Sequence, residues 1–207
     1  GSSVLVLGFE SASHSMRGSI DEALRITAKH HGRCEKGALV RDGEGERAQD
    51  AGEAWRKSFL QGPYLQDALI QLGLIADTFE TACTWSRFDA LYAGVTGAMT
   101  EELQRVCGGG VISCRFTHVY PDGPAPYFTF IGKGREGAEL EQWQALKQAA
   151  SDALSEHGGT ITHHHAVGRT HRPWYEREVP PLFVDALKGV KRSFDPAGLL
   201  NPGVLFD

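Results

Sequence analysis

Long apolar runs are missing from this sequence of 207 residues. None approaches the roughly 20 residues that a membrane-spanning helix needs, and no positively charged leader precedes an apolar stretch at the N-terminus. Positive charge is also scarce, because 21 Lys and Arg against 26 Asp and Glu give a net charge of -5. That sign argues against a general nucleic-acid binder. We expect a soluble, cytoplasmic protein without a transmembrane segment or a nucleic acid partner; peripheral attachment to a membrane stays open.

Paired cysteines are missing as well. The four cysteines are widely spaced and form no Cys-x-x-Cys pair, which argues against a zinc ribbon and against a thioredoxin-type redox site. Reduced, mostly buried thiols are the expectation, and they fit a cytoplasmic protein. The four residues are Cys34, Cys83, Cys107 and Cys114.

The length predicts one compact domain over residues 1–207. Its N-terminal part combines short apolar and helical patterns with a polar, glycine-rich stretch. The predicted elements are a buried strand over 4–9, a helix over 15–31 ended by Gly32, a loop over 41–52 and a helix over 51–60 broken at Gly62-Pro63.

A clearer order of elements begins at Leu74. The predicted elements are a strand over 74–82, a helix over 88–106, strands over 111–120 and 127–131, a helix over 140–154 and a strand over 160–162. This order predicts an α+β, ferredoxin-like fold, in which an antiparallel sheet carries helices on one face and N-terminal elements extend it. The other face of the sheet stays open.

Strand alternation assigns side chains to the two faces of this sheet. Phe128 and Phe130 suit the helix-covered face, so Tyr127 and Thr129 point to the open face. Arg115 belongs to the polar row of the preceding strand, and the strand register decides whether it lies near Tyr127.

The segment 162–174, THHHAVGRTHRPW, carries four histidines and two arginines. Consecutive histidines of an extended segment point to alternate sides, and no acidic or cysteine partner stands at motif spacing, so we expect no metal site. Packed or solvated rings at a strand end are one alternative. Three adjacent imidazoles, which can carry protons near neutral pH, favour an active site instead. Arg169, His171 and Arg172 either offer donors to a phosphate or carboxylate or form a solvated loop.

Several motifs resemble one known family, the C-terminal domain of FAD-linked oxidases of the vanillyl-alcohol oxidase superfamily, and within it the alkyldihydroxyacetonephosphate synthase branch. The triple histidine is the specific match, whereas the ending Asp195-Pro…Asn201-Pro-Gly is shared widely. The matching motifs, in order, are Pro63-Tyr-Leu-Gln-Asp67, Thr78-Phe-Glu-Thr81 with Trp85, Cys114-Arg-Phe-Thr-His-Val-Tyr120, Tyr127-Phe-Thr-Phe130 and the triple-histidine segment.

The resemblance implies a substrate-side cap over FAD, with the flavin held mainly by an N-terminal domain absent from this chain. It implies that an acyl chain on acyl-dihydroxyacetone phosphate is exchanged for an alkyl chain, as in ether-lipid synthesis, and that the isolated chain is inactive. Carried over residue by residue, Tyr127, His163, His164 and His165 are catalytic. His164, His165 and Asn201 lie towards the cofactor. Small-molecule or lipid substrate and the FAD-binding domain are the implied partners, and a homodimer stays open.

One departure bears on the substrate. The synthases carry an arginine in Tyr-x-Arg-Asp where this chain has Gln66, which has neither the permanent charge nor the bidentate donors of arginine. Gln66, Arg115, Arg169 and Arg172 are the predicted substrate-binding residues. Two other functions stay open: the cap of an FAD-linked oxidase or dehydrogenase acting on a hydroxy acid or alcohol, and a stand-alone module that binds lipid or a partner.

Overall fold

A computed structural model describes residues 3–35, 37–38, 40 and 51–205. The contact pattern divides the chain into two compact units, residues 1–63 and 64–207. Six helices and three strands run along the described residues, in the order α1 Arg17–Lys29, α2 Ala51–Gln71, β1 Leu74–Glu80, α3 Trp85–Cys107, β2 Gly110–Val119, β3 Pro124–Lys133, α4 Glu139–Glu156, α5 Gly168–Glu178 and α6 Pro181–Phe194. No helix among these residues has the length and apolar character needed to cross a bilayer.

The N-terminal unit differs from its prediction at both ends. Residues 4–9 form no strand and are exposed, with Val4 91% accessible, so the prediction of a buried strand is wrong. Their β-branched composition favours a strand only where a neighbouring strand pairs with them. The helix predicted over 15–31 is confirmed as α1.

The predicted break at Gly62-Pro63 is also wrong, because α2 continues through Pro63 to Gln71. A proline inside a helix removes one backbone hydrogen bond. Leu65, Gln66, Ala68 and Leu69 after it are good helix formers, which favour continuation of the helix.

The sheet has three antiparallel strands in the order β1-β3-β2. The strand predicted over 160–162 does not form, since this segment joins the end of β1 by one backbone bond, from Thr160 N to Ala82 O at 3.2 Å, instead of a ladder. Thr81 Oγ1 adds a bond to Thr160 O at 2.6 Å, and Ile161 is buried. The α+β fold is confirmed, with a β-α-β-β-α order in place of the full ferredoxin-like set.

Two long helices, α3 and α4, cover one face of this sheet and form the core with it. Phe128 and Phe130 are fully buried there, and the rings of Phe79 and Phe128 stack at 4.9 Å, which confirms the predicted covered face. Helix α3 ends at Cys107 and is followed by Gly108, whose φ of 73° suits a residue without Cβ. The buried apolar residues that α3 and α4 contribute to this core are Leu91, Val95, Met99, Leu103, Leu146, Ala150, Ala153 and Leu154.

All four thiols are free. Cys34 is exposed, which corrects the expectation of mostly buried thiols, and Cys83, Cys107 and Cys114 are half-buried. Burial beside the core raises the pKa of Cys114 to about 11, so this thiol stays protonated at neutral pH.

The strand register decides what the open face carries. Thr78 lies opposite Thr129, and Glu80 lies opposite Tyr127, so these four side chains share the open face. Arg115 lies opposite Tyr127 on the other side of β3. The end of β1 therefore brings a carboxylate, a phenol and a guanidinium into one row.

The buried Phe128 ring gives a test of the core. Truncating it to alanine removes a side chain that is fully enclosed between sheet and helices, and we expect Phe128→Ala to lower the free energy of unfolding by about 3–5 kcal/mol. Urea denaturation followed by circular dichroism measures this loss. Phe194→Ala is the matched control, because Phe194 is 85% exposed and should change stability little. Equal losses for both variants would contradict the packing described here.

Candidate active site

A buried carboxylate holds the histidine segment in place. Oxygen Oε1 of Glu80 accepts hydrogen bonds from Thr162 Oγ1 at 2.7 Å and from the backbone N–H groups of His163, His164 and His165 at 2.7, 2.8 and 3.0 Å. The side chain of Glu80 is fully buried. The loop after α4 is thus tied to the last residue of β1, on the open face of the sheet.

Successive N–H groups that converge on one anion form the concave arrangement known as a nest. Ala166 follows it with a φ of 66°, a conformation that favours glycine and costs an alanine about 1–2 kcal/mol. A second carboxylate fixes the start of the segment, since Glu178 of α5 accepts from Thr160 Oγ1 at 2.5 Å and from Ile161 N at 2.8 Å. The segment is a bonded turn, and this departs from the strand predicted for it.

The bonds around the anchoring carboxylate of Glu80 favour its ionised form. Burial raises the pKa of Glu80, but the Thr162 hydroxyl and the amides of His164, His165 and His163 outweigh it and hold the pKa below its usual range. Burial lowers the pKa of His165 and so favours its neutral imidazole. The negative charge of Glu80 acts in the opposite direction but is the smaller effect.

Two of the three imidazoles face each other and a neighbouring strand. Nδ1 of His163 lies 3.2 Å from Nδ1 of His164, and Nε2 of His163 lies 3.2 Å from the hydroxyl of Tyr120. The ring of His118, on β2, lies 5.2 Å from the His163 ring and 5.4 Å from the His164 ring. The side chains of His163 and His164 are 24% and 36% exposed, so the group opens to solvent.

Tyr127 lies on the other side of the histidines. Its hydroxyl donates to Thr78 Oγ1 at 3.0 Å, and the Arg115 guanidinium lies 4.4 Å from the centre of its ring. The ring of His165 meets it edge-on at 5.1 Å, and that of His164 lies 6.1 Å away at an angle of 25°. The structure thus brings together Tyr127, His163, His164, His165 and Arg115, all predicted from the sequence.

The remaining predicted residues bond elsewhere. Gln66 donates to the backbone oxygen of Ala76 at 2.8 Å, in the middle of β1. Arg169 donates to Pro202 O at 3.0 Å, and Arg172 bonds Glu176 at 2.7 Å and Gly203 O at 3.4 Å. These two arginines hold the C-terminal loop, in which Asn201 has a φ of 46°. None of these described bonds ends on a histidine of the triplet.

The sequence analysis assigned no role to three residues of the site: Glu80, His118 and Tyr120. A carboxylate that ends an apolar strand is a detectable signal, because a charge in such a position needs partners. Its partners lie 82 to 85 residues further along the chain. Only the fold reveals that they are the histidine amides.

A groove of about 1010 Å³ adjoins His163. The turn after β2, the start of α3 and one side of α5 form its walls, and Arg87 and Arg177 contribute positive charge to them. It offers room for a ligand beside the imidazoles. Other lining residues include Cys83, Thr84, Tyr120, Asp122, Gly159 and Trp174.

The comparison with known families is decisive. Residues 2–205 match the model of the FAD linked oxidases, C-terminal domain. The chain belongs to this family. Its relatives include both a synthase and an oxidase subunit.

Alkyldihydroxyacetonephosphate synthases are among the similar proteins. The chain is 30% identical to the one from Trypanosoma brucei brucei over 154 residues and 32% identical to the one from Caenorhabditis elegans over 148 residues, which cover 74% and 70% of the chain. It spans 25% of the length of each. The glycolate oxidase subunit GlcD of Bacillus subtilis is 34% identical over 93 residues, which cover 45% of the chain and 19% of that protein.

Solved structures support the fold. Two structures of alkyldihydroxyacetonephosphate synthase superpose with TM-scores of 0.55 and 0.58 at 20% and 17% sequence identity. The superpositions cover 73% and 88% of this chain but only 24% and 26% of those proteins. This chain therefore has the fold of one part of a larger architecture.

If Glu80 anchors the histidine loop, its removal should make the backbone of residues 163–165 less ordered. Glu80→Ala leaves three backbone N–H groups and one hydroxyl without their acceptor, and each lost half-buried bond costs up to about 1–3 kcal/mol. We expect hydrogen–deuterium exchange of the amides of residues 163–165 to accelerate about tenfold or more. Glu136→Ala, at an exposed glutamate, is the control. Unchanged exchange in the Glu80 variant would contradict the anchoring role.

Proposed function

We propose that this chain is the substrate-side cap of an FAD-dependent enzyme similar to alkyldihydroxyacetonephosphate synthase. Such an enzyme exchanges the acyl chain of acyl-dihydroxyacetone phosphate for a fatty alcohol in ether-lipid synthesis. The observation that carries the proposal is the group of three imidazoles, held by Glu80 beside Tyr127. Identities of 30% and 32% to named synthases over about three-quarters of the chain support it.

Tyr127 and the histidines are proposed to move protons. The Tyr127 hydroxyl is held by its hydrogen bond to Thr78, and we propose that the phenol relays a proton to a base beside it. His163, His164 and His165 supply imidazoles that accept or donate a proton near neutral pH. Glu80 acts through the backbone, by holding the turn from which these rings project, and is a positioning residue.

FAD is the cofactor that the family name implies. The exposed imidazole of His164 and the Tyr127 ring, inclined by only 25°, offer flat surfaces that suit one side of a planar ring system. We propose that His164 and His165 contact the flavin ring and that Asn201 lies towards it. When bound, the flavin supplies an electrophilic ring to which a substrate carbon can attach.

A partner domain is part of the proposal. The chain spans about a quarter of the length of the relatives named above, and we propose that an N-terminal FAD-binding domain holds the rest of the cofactor. Cytoplasmic location, with lipid substrate reached from the membrane surface, fits this function. Arg115, beside Tyr127, is the proposed contact for an anionic substrate group.

If a separate domain holds most of the FAD, the isolated chain should have little affinity for the cofactor. Purified alone, the 207-residue chain should bind FAD weakly or not at all and be colourless, because a flavin contact on one side leaves pyrophosphate and adenine without partners. Absorbance spectroscopy after incubation with FAD and gel filtration measures this. A stoichiometric yellow complex would show that the chain holds FAD by itself and would overturn the cap assignment.

Variants of the proton carriers test the reaction. In the natural protein that contains this chain, Tyr127→Phe and His164→Ala should each lower turnover by about 10²- to 10⁴-fold, since one positioned proton-transfer group contributes that much. Ether formation from acyl-dihydroxyacetone phosphate and fatty alcohol is the assay, and melting temperature monitors folding. Tyr92→Phe on α3 and His14→Ala in the N-terminal unit are the controls. Near-normal turnover in both site variants would refute the assigned site.

A second function has its own support. Gln66 lacks the charge that the resembling synthases have at this position, and the glycolate oxidase subunit is 34% identical over part of the chain. We therefore propose, as the alternative, the cap of an FAD-linked oxidase or dehydrogenase for hydroxy acids or alcohols. Oxidation of short 2-hydroxy acids with an electron acceptor, and no ether product, would favour this alternative.

Gln66→Arg separates the two functions further. If a substrate phosphate lies beside residue 66, the new charge-assisted pair should contribute about 1.5–3 kcal/mol, so the KM for acyl-dihydroxyacetone phosphate should fall about ten- to hundredfold. We expect this fall, with Gln71→Arg on the same helix as the control for a general charge effect. An unchanged KM would mean that the phosphate is bound elsewhere.

A further inference from the structure

One oxygen of the anchoring carboxylate lacks a hydrogen bond. Among the side chains that the structure describes, Oε2 of Glu80 is the buried polar atom without any hydrogen-bond partner. The other oxygen of the same carboxylate accepts four bonds. A buried carboxylate oxygen without a donor is costly, so the groups around Oε2 are expected to supply one.

Two imidazole nitrogens lie close to this oxygen. Nδ1 of His164 is 3.1 Å from Oε2, and Nδ1 of His163 is 3.9 Å from it. The first distance is that of a hydrogen bond, but the ring does not direct an N–H at the oxygen. The outer side-chain torsion of histidine has a broad minimum, so a small rotation of the His164 ring closes this bond at little cost.

The two imidazoles compete for one proton between them. Their Nδ1 atoms lie 3.2 Å apart, and a neutral imidazole has one N–H and one lone pair, so only one of the two nitrogens donates. If His163 donates, His164 turns a lone pair towards the carboxylate, and Oε2 keeps no donor. If His164 carries the proton on Nδ1, Oε2 gains a charge-assisted bond, which is about twice as strong as one between neutral groups.

The neighbour on the other side of His163 accepts either arrangement. Nε2 of His163 lies 3.2 Å from the hydroxyl of Tyr120, which donates to a lone pair or accepts from an N–H. The Tyr120 contact therefore does not decide where the proton lies. The carboxylate decides, because it is buried and accepts only.

We propose that Glu80 holds His164 in the tautomer with the proton on Nδ1, and that Nε2 of His164 is the base of the site. The role of Nε2 rests on the proposed function, whereas the tautomer is a property of this chain alone. Nε2 lies on the side of the ring away from Nδ1, and the side chain of His164 is 36% exposed, so a ligand has access to the ring. Among three adjacent histidines, the carboxylate thus singles out one.

Glu80 then has two separate effects. Through Oε1 it holds the backbone turn, and through Oε2 it sets the protonation pattern of one imidazole. The bond made by one ring nitrogen of a histidine determines which form the other nitrogen takes. A carboxylate with this effect is a positioning residue, and loss of such a partner in a catalytic triad lowers turnover by about 10⁴-fold because the tautomer is wrong.

Nitrogen NMR of the imidazoles tests the tautomer without substrate or cofactor. Protonated and unprotonated ring nitrogens have well-separated ¹⁵N shifts, and the full 207-residue chain is measured at pH about 8.5, above the ordinary histidine pKa of about 6.5. The His164 signals are assigned by their loss in His164→Gln. We expect Nδ1 of His164 to be protonated and Nε2 to be unprotonated.

Glu80→Gln should reverse this pattern. The four donors at the position of Oε1 need an oxygen, so the amide oxygen takes that position and the NH₂ group takes the position of Oε2. An NH₂ group only donates, so Nδ1 of His164 becomes the acceptor and the proton moves to Nε2. His165 in the same variant is the internal control and should keep its signals.

A second variant separates the carboxylate from the neighbouring ring. In His163→Ala the carboxylate and its four donors remain, so His164 should keep its proton on Nδ1. Circular dichroism monitors folding, and if Glu80→Gln does not fold, the unaltered chain and His163→Ala decide. The proposal is overturned by a proton on Nε2 or by an imidazolium in the unaltered chain at pH about 8.5. A pattern unchanged in folded Glu80→Gln, or reversed in His163→Ala, overturns it equally.

Turnover tests the role of Nε2. In the natural protein that contains this chain, Glu80→Gln should lower the kcat of ether formation by about 10²- to 10⁴-fold. Glu136→Gln, at an exposed glutamate, is the matched control. Undiminished turnover in Glu80→Gln would overturn the assignment of Nε2 as the base. If the unaltered protein forms no ether, the proposed function fails, while the NMR result on the tautomer still stands.

Discussion

The bonds to Glu80 are the interaction on which the site depends. One buried carboxylate oxygen gathers the Thr162 hydroxyl and three successive backbone amides, and so ties the loop after α4 to the end of β1. Without this acceptor the loop would carry four half-buried donors without this partner, at a cost of up to about 1–3 kcal/mol each. The same bonds fix the backbone turn from which the three imidazoles project. Stability of the loop and geometry of the site therefore have one cause.

Strand alternation explains why this carboxylate lies where it does. Phe79 faces α3 and α4 in the core, so its neighbour Glu80 faces the other side, opposite Tyr127 of β3. The open face therefore carries polar side chains, among them Glu80 and Tyr127, while the apolar side chains face the core. Helices on one face and a histidine loop at the edge of the other leave a surface suited to a planar cofactor or a second domain. This arrangement, rather than any one histidine, is what the proposed function uses.

Elements with strong local signals were predictable from the sequence. The amphipathic stripes of α3 and α4, their glycine ends and the alternation of Phe128 and Phe130 all have short-range causes. The strand predicted over 4–9 does not form, because apolar β-branched residues form a strand only when another strand pairs with them. The strand over 160–162 failed for another reason: Thr160 bonds Ala82 and Glu178 instead of joining a ladder. The residues of the site differ in the same way. Sequence motifs predict Tyr127 and the histidines, whereas Glu80 and His118 join them only through long-range contacts.

We propose that Tyr127 and the histidines held by Glu80 form the substrate side of a flavin site. A crystal structure of the natural protein that contains this chain, with FAD bound, tests it most directly. The flavin ring should lie in van der Waals contact, at about 3.5–4.0 Å, with the imidazole of His164 or His165. A flavin ring that contacts neither imidazole, or that lies on the α3 and α4 side of the sheet, would contradict it.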